Sequence, residues 1–301
     1  MKSKNATKDI MVDRIFNAGN NLFLFIAFLI VLYPLIYVVS CSFSSTTAVL
    51  TGRVRLFPVD FSLKGYQAVF STNSVLIGYR NTIFYTFFGT IFNLALTVLA
   101  AYPLSRKDFY ARNAIMFFFA FTMFFSGGMI PSYLLVKSLG LVNKPIVMIV
   151  LGGVSVYNVI VTRTFMESNI PFELYEAAEI DGCSDIRFMF AILLPLSQAV
   201  LAVMVLFYAV GHWNSFFNGL LYLSDKEYYP LQLVLREILI VNSIDPAMTA
   251  SIPLEEQEAK EGLAELLKYS LIVVASVPVL IIYPFVQKYF LKGVMIGSIK
   301  G

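Results

Sequence analysis

One histidine and two cysteines among 301 residues leave little material for metal or redox chemistry. His212 alone builds no multi-histidine centre, and Cys41 with Cys183 supplies neither a disulfide framework nor a cysteine-rich metal site. The pattern G-x-x-x-x-G-K-[ST] does not occur, so a phosphate cradle of that type is excluded; H-E-x-x-H and G-x-S-x-G are missing as well. A membrane hydrolase needs a nucleophile beside a base, and the sequence identifies no serine or cysteine partner for His212. Charge is equally scarce. Only 14% of residues are charged, well below the roughly 25% of soluble domains, and the net charge of +3 is too small and too scattered for a nucleic-acid surface.

What the chain has instead is apolar length. Hydrophobic residues make up 58% of it, with 28 Phe and 17 Tyr. Runs free of Asp, Glu, Lys and Arg occupy 22–52, 81–105, 113–136, 145–162, 188–224 and 269–287. A helix needs about 20 residues to cross about 30 Å of hydrocarbon, so each run is long enough or nearly so. Stretches such as "NLFLFIAFLIVLYPLIYVV" are continuously apolar rather than alternating, which favours helices over a β-barrel. The expectation is an all-α polytopic membrane protein with six transmembrane helices, at about 20–42, 80–104, 112–136, 144–165, 197–222 and 269–289, forming a single domain over 1–301. A basic start followed by "VVSC" resembles a lipoprotein leader, but the first run exceeds the usual 7 to 15 residues of a signal h-region, so a retained helix is expected.

Six spans put both termini on one side. Basic residues divide almost evenly between the two sides, yet the compact "SRKDFYAR" and the basic N-terminal tail weigh most under the positive-inside rule and place the termini in the cytoplasm. Gly127, Gly128 and Pro131 predict a break in the third span, read either as a packing kink, as an interfacial segment, or as a broken helix lining a path. "PLEEQEAKEGLAELLKYS" predicts a short surface helix before the last span.

One stretch breaks the apolar pattern. Between the fourth and fifth runs, "ELYEAAEIDGCSDIRFMFAILLP" carries Glu173, Glu176, Glu179, Asp181 and Asp185 against one base, Arg187. A single acid at a bilayer centre costs on the order of 2.5 to 3.5 kcal/mol, so this stretch belongs in water. Pro171 suits a first helical turn, "FELYEAAEI" propagates a helix, Gly182 ends it with a left-handed residue, and Ser184 caps the next one. The local code spells helix, tight turn, helix, with exposed acids as acceptors for basic partners.

Glu176, Ala177, Ala178, Gly182, Ile192, Leu194 and Pro195 reproduce EAA-x3-G-x9-I-x-L-P. In this the chain resembles the permease subunits of ABC importers. "YRNTIFYT", "FSGGMIPSYLLVKSLGLVNKPIV", "GHWNSFFNGLLYLSDKEYYPLQLVL" and "QKYFLKGVMIGSIKG" extend the likeness to the sugar-importing branch, in particular the maltose-type inner subunit and relatives handling complex or acidic oligosaccharides. Cys183 stands where alanine is common, and 198–200 lacks a proline often found after the Leu-Pro pair. The resemblance implies a type I importer permease fold, with a docking loop at 167–195 seated in a groove of a cytoplasmic ATPase. The implied docking residues are Glu173, Glu176, Ala177, Ala178, Asp181, Gly182, Ile192, Leu194 and Pro195. It also implies a second, homologous permease, two ATP-binding subunits holding ATP and Mg2+, an extracytoplasmic solute-binding protein facing the loop at 225–232, and no cofactor on this chain. The tail "GVMIGSIKG" either reaches the ATPase or faces anionic lipid.

For the path, Asn93, Tyr157, Asn158, Trp213, Asn214 and Asn218 offer amides and aromatic faces suited to an oligosaccharide. The same residues also suit interhelical hydrogen bonding. An ion-coupled secondary transporter is the rival reading; it needs intramembrane charges, which the six runs lack. No catalytic role is expected.

Overall fold

The computed structural model describes residues 2–241 and 254–298. Among these every regular element is helical: α1 (Lys2–Ser42), α2 (Thr46–Leu50), α3 (Lys64–Ser71), α4 (Asn73–Ser105), α5 (Arg112–Phe124), α6 (Met129–Ser138), α7 (Val147–Val150), α8 (Val156–Asn169), α9 (Phe172–Ile180), α10 (Asp185–Leu196), α11 (Gln198–Trp213), α12 (Phe217–Tyr222), α13 (Leu231–Val241) and α14 (Leu254–Ser298). Phe16–Ser42, α4 and Gly262–Pro284 are long and apolar enough to cross a membrane as single helices. Two bent pairs pass the same test when each is taken as one span: α5 with α6, bent by 114°, and α10 with α11, bent by 84°.

Several expected spans differ in the structure. The third breaks where Gly127 and Gly128 predicted it. The fourth, expected as one helix over 144–165, is split into α7 and α8 by Leu151–Ser155, where Gly152 takes a φ of 72° that ends helix propagation. The carbonyl freed at Gly152 accepts a hydrogen bond from Asn93 Nδ2 at 3.1 Å, so the irregular backbone is satisfied inside the protein. The fifth helix stops at Trp213 rather than 222, and 217–222 forms α12. Among the described residues the expected surface helix is continuous with the last span, α14 running unbroken from Leu254; Glu, Lys, Ala and Leu propagate a helix, and no proline intervenes before Pro278.

The chain forms two compact units, Met1–Ser71 with Leu239–Ala275 and Thr72–Ile238 with Ser276–Gly301. In the first, Cys41, Ala48 and Val54 form a small core with Tyr37, Val59 and Tyr269 around them. Ser40 and Ser44 hydroxyls donate to the Leu56 and Ser40 carbonyls at 2.8 and 2.6 Å and pin the loop that follows α1.

In the second unit α4 is the central helix, packed chiefly on α11 and α8. Its buried stripe reads Gly78, Asn81, Thr82, Tyr85, Gly89, Asn93, Thr97 and Ala101, while Ile83, Phe84, Phe87, Phe88, Ile91 and Leu99 point outward. Small and polar residues inside with large apolar ones outside is the arrangement of a helix whose neighbours approach closely in lipid. Most of its polar members are bonded, Thr90 Oγ1 being buried without a partner among the described residues. Thr97 Oγ1 meets Tyr208 Oη at 2.6 Å, Thr82 Oγ1 accepts from the Leu231 amide at 2.8 Å, and Asn81 Nδ2 donates to the Glu227 and Tyr229 carbonyls at 2.7 and 3.0 Å.

Candidate functional site

The acidic stretch folds as its local residues dictate. Pro171 precedes α9 in an extended conformation, and Glu173 sits in the first turn, where a negative charge complements the helix dipole. At the other end Gly182 takes a φ of 74°. The Cys183 amide donates to the Ala178 carbonyl at 2.9 Å and the Gly182 amide to Glu179 at 3.0 Å, a complete Schellman closure. Ser184 Oγ then accepts from the Arg187 amide at 3.4 Å and caps α10. Met189–Leu193 form a π turn just ahead of Pro195, whose ring and missing N–H prevent regular α bonding there. At Ser197 the chain swings by 84° into α11. The outcome is a rigid elbow.

Its inner face packs onto the ends of α4 and α8. Ala178, Phe188, Met189 and Leu193 are buried with Val98, Ala101, Tyr102, Leu104, Val159 and Met166, with Ile192 and Leu194 half-buried beside them. Of the residues expected to dock a partner, Ala178 therefore faces the chain's own core, and its small size brings α9 close to that core. Glu173, Glu176, Ala177, Asp181, Gly182 and Pro195 are exposed. Ile180 and Ile186 join them, at 86% and 70% exposure, so the outer surface combines acids with two protruding aliphatic side chains.

The acids divide into two sets. Asp185 Oδ1 accepts from Arg106 Nη1 at 3.0 Å and from Tyr175 Oη at 3.2 Å, and Glu167 pairs with Arg163 at 2.9 Å and Arg112 at 3.8 Å. Among the described residues, Glu173, Glu176, Glu179 and Asp181 make no ion pair or side-chain hydrogen bond. Four carboxylates are thus left facing water on one elbow.

Sequence reasoning missed the basic side of this arrangement. Arg106, the residue directly after α4, donates from Nε and Nη2 to both oxygens of Asp108 at 2.8 and 2.6 Å, and from Nη1 to Tyr102 Oη at 3.1 Å. Its guanidinium carbon lies 3.1 Å from the centroid of the Tyr175 ring. Burial opposes the Arg106 charge, but its contacts with Asp108, Tyr175 and Tyr102 outweigh it and hold the guanidinium above its ordinary range. The Asp108 carboxyl is correspondingly lowered, mainly by its bond from Arg106. The available signal was "SRKDFYAR", a charge cluster at the very end of an apolar run, which served only to orient the chain.

The candidate path residues do not form one set. Asn93 and Asn218 line a recess of about 190 Å3 together with His212, Ser215, Gly152 and Tyr208. Asn93 Oδ1 lies 3.3 Å from His212 Nε2. Trp213 is buried edge-on against Tyr79, ring centroids 6.1 Å apart, and Asn158 is buried on α8; both serve packing inside this chain. Tyr157 and Asn214 are exposed and do not line the recess. The recess falls below the roughly 300 Å3 at which ligand-sized sites begin, so this chain alone forms one wall of a larger site at most.

On the opposite end of α4, Asn143 holds the loop at 224–229. Its Oδ1 accepts from the Ser224 and Asp225 amides at 2.9 and 3.0 Å, its Nδ2 donates to Asp225 Oδ2 at 2.8 Å, and its own amide donates to the Tyr222 carbonyl at 2.7 Å. Tyr85 Oη secures the same loop at the Tyr228 carbonyl, 2.8 Å away.

No protein-family model matches the chain. It is 40% identical over 291 residues to the polygalacturonan/rhamnogalacturonan transport system permease protein YtcP of Bacillus subtilis (strain 168), covering 97% of this chain and 100% of that one. Protein LplC of the same organism is 40% identical over 292 residues, with 96% of each covered. Among solved structures, a bacterial ABC transporter involved in the import of the acidic polysaccharide alginate matches with a TM-score of 0.84 and 35% identity, over 92% of this chain and 97% of that one.

Proposed function

Because this chain belongs to the carbohydrate permease subunits of ABC importers, we propose that it forms half of an oligosaccharide path with a second, homologous permease and takes its drive from two ATPases docked on the elbow. The family is one of transport subunits rather than enzymes, and an ion-coupled mechanism is not favoured. In this reading the chain crosses the cell membrane six times with both termini in the cytoplasm, ATP and Mg2+ stay on the ATPases, and the loop at 225–232 faces a solute-binding protein.

The observation that carries the proposal is the elbow's outer surface. Four unpaired carboxylates and two exposed isoleucines stand on a locally closed turn, while the opposite face is buried in the helix ends. A free acid on a rigid scaffold suits charge-assisted bonds to a basic groove, and Ile180 and Ile186 supply apolar contact at its centre. Gly182 shapes the turn, Ala178 supports it from beneath, and Ile192, Leu194 and Pro195 carry it toward the bend at Ser197. The recess holding Asn93 and Asn218 supplies this chain's polar contacts to cargo. Oligosaccharides bearing uronate groups are the first cargo to test, since polyuronides appear in the names of the relative at 40% and the structure at 35% identity.

The test is co-purification followed by reconstitution. Wild-type protein expressed with its transport components should bring down an ATPase and take up an oligogalacturonate in an ATP-dependent way. Glu176→Lys should weaken the ATPase association at least about tenfold, the loss of one charge-assisted contact. Retention of full association by Glu176→Lys and Ile186→Asp together would overturn the docking assignment.

A further inference from the structure

A single guanidinium joins four pieces of backbone. Arg106 touches the end of α4 through Tyr102, the following loop through Asp108, α9 through the Tyr175 ring and α10 through Asp185. Its side chain is only 12% exposed, so these contacts are less screened than those of a surface ion pair. The two-pronged bond to Asp108 fixes the plane of the fork, leaving Nη1 aimed at the elbow and one face laid on Tyr175. A lysine has neither the fork nor the flat face.

We propose that Arg106 is the positioning residue through which displacement of the elbow is transmitted to α4. It follows Ser105, the last residue of that helix, without any intervening loop. Asn93 lies thirteen residues further up the same helix, about 20 Å at 1.5 Å per residue. That distance is helical throughout, with Pro103 removing one backbone bond in the last turn, and the polar face of the helix is bonded to α11 through Thr97 and Tyr208. A continuous helix gripped at one end and lining the recess at its middle is a physical carrier of coupling between the two sites. The hydrophobic core beneath the elbow adds adhesion. The Arg106 junction adds direction, because its bonds to α9 and α10 resist sliding that apolar packing tolerates.

This inference rests on the docking reading, and the experiment separates the two. The assembled importer is reconstituted in proteoliposomes, and oligogalacturonate taken up per ATP hydrolysed is measured for wild type, Arg106→Lys, Arg106→Gln and Tyr175→Phe. Both Arg106 variants should lower that ratio by at least about fivefold, the lower end of a typical coupling effect. Tyr175→Phe keeps the stacked ring, loses one bond to Asp185 and should lower the ratio less. If Arg106→Gln is not recovered in the membrane, Asp185→Asn replaces it, since it removes the charge from an exposed position and leaves the shape unchanged. A ratio equal to wild type, or uptake and hydrolysis falling in parallel, overturns the proposal. Failure of the docking reading looks different: wild type itself then brings down no ATPase.

Discussion

Gly89 of α4 lies against the imidazole of His212 on α11, close enough that a Cβ at position 89 would overlap the ring. The contact lets the two helices approach at the level of the recess, with Asn93 one turn along α4 bonded to the same imidazole. Gly89→Ala should therefore destabilise the purified protein by about 1 to 3 kcal/mol, the usual cost of overpacking. Thermal unfolding in detergent checks this. His212→Ala in the same background should recover much of the loss, because the two positions share one contact; no recovery would place the strain elsewhere.

The turn at the elbow makes a second case. Gly182→Ala keeps the volume small but forces a side chain into left-handed backbone, at about 1 to 2 kcal/mol. Gly182→Asn should cost less, since asparagine visits that region more readily. Hydrogen exchange at the Gly182 and Cys183 amides, which close the turn, should accelerate in the alanine variant more than in the asparagine variant. Equal exchange in both would show that the turn is held by other forces.

Asp108 supplies a pH dependence with a definite sign. Its folded carboxyl is lowered by the bond from Arg106, so the unfolded chain binds its proton more readily. The stabilisation is full above the ordinary carboxylate range and is lost as pH falls below about 4. The melting temperature of Asp108→Asn should accordingly lie below wild type at neutral pH, with the gap closing in acid. A gap that widens in acid would contradict the assignment.

At the far end of α4, Asn143 occupies left-handed backbone at a φ of 58° and makes three side-chain bonds to 224–225. Asn143→Gly preserves the backbone preference and deletes the bonds. It should destabilise the loop by about 0.5 to 1.5 kcal/mol, because water can take over these exposed amides, seen as faster exchange at Ser224 and Asp225. Unchanged exchange would mean that Tyr85 and Asn81 suffice to hold the loop.

The elbow was the most legible part of the chain before its structure was known. Pro171, Gly182 and Ser184 act on neighbours within five residues, so local order alone spells helix, turn and helix. The break at Gly127 and Gly128 was readable for the same reason. The expectation of one helix over 144–165 follows the apolar run and passes over the Gly152–Gly153 pair, which is the same kind of signal as Gly127 and Gly128. At the Gly152 break Asn93, from another helix, satisfies the freed carbonyl.

Composition and short-range pattern thus settled that this is a helical membrane chain bearing an acidic, glycine-closed elbow, since lipid solvation and helix capping act residue by residue. Which acids remain available was decided only in three dimensions. Asp185 is taken by Arg106 from 79 positions away and Glu167 by Arg163 and Arg112, whereas Glu173, Glu176, Glu179 and Asp181 find no partner among the described residues. Pairing depends on where helix ends meet, and that is a property of packing.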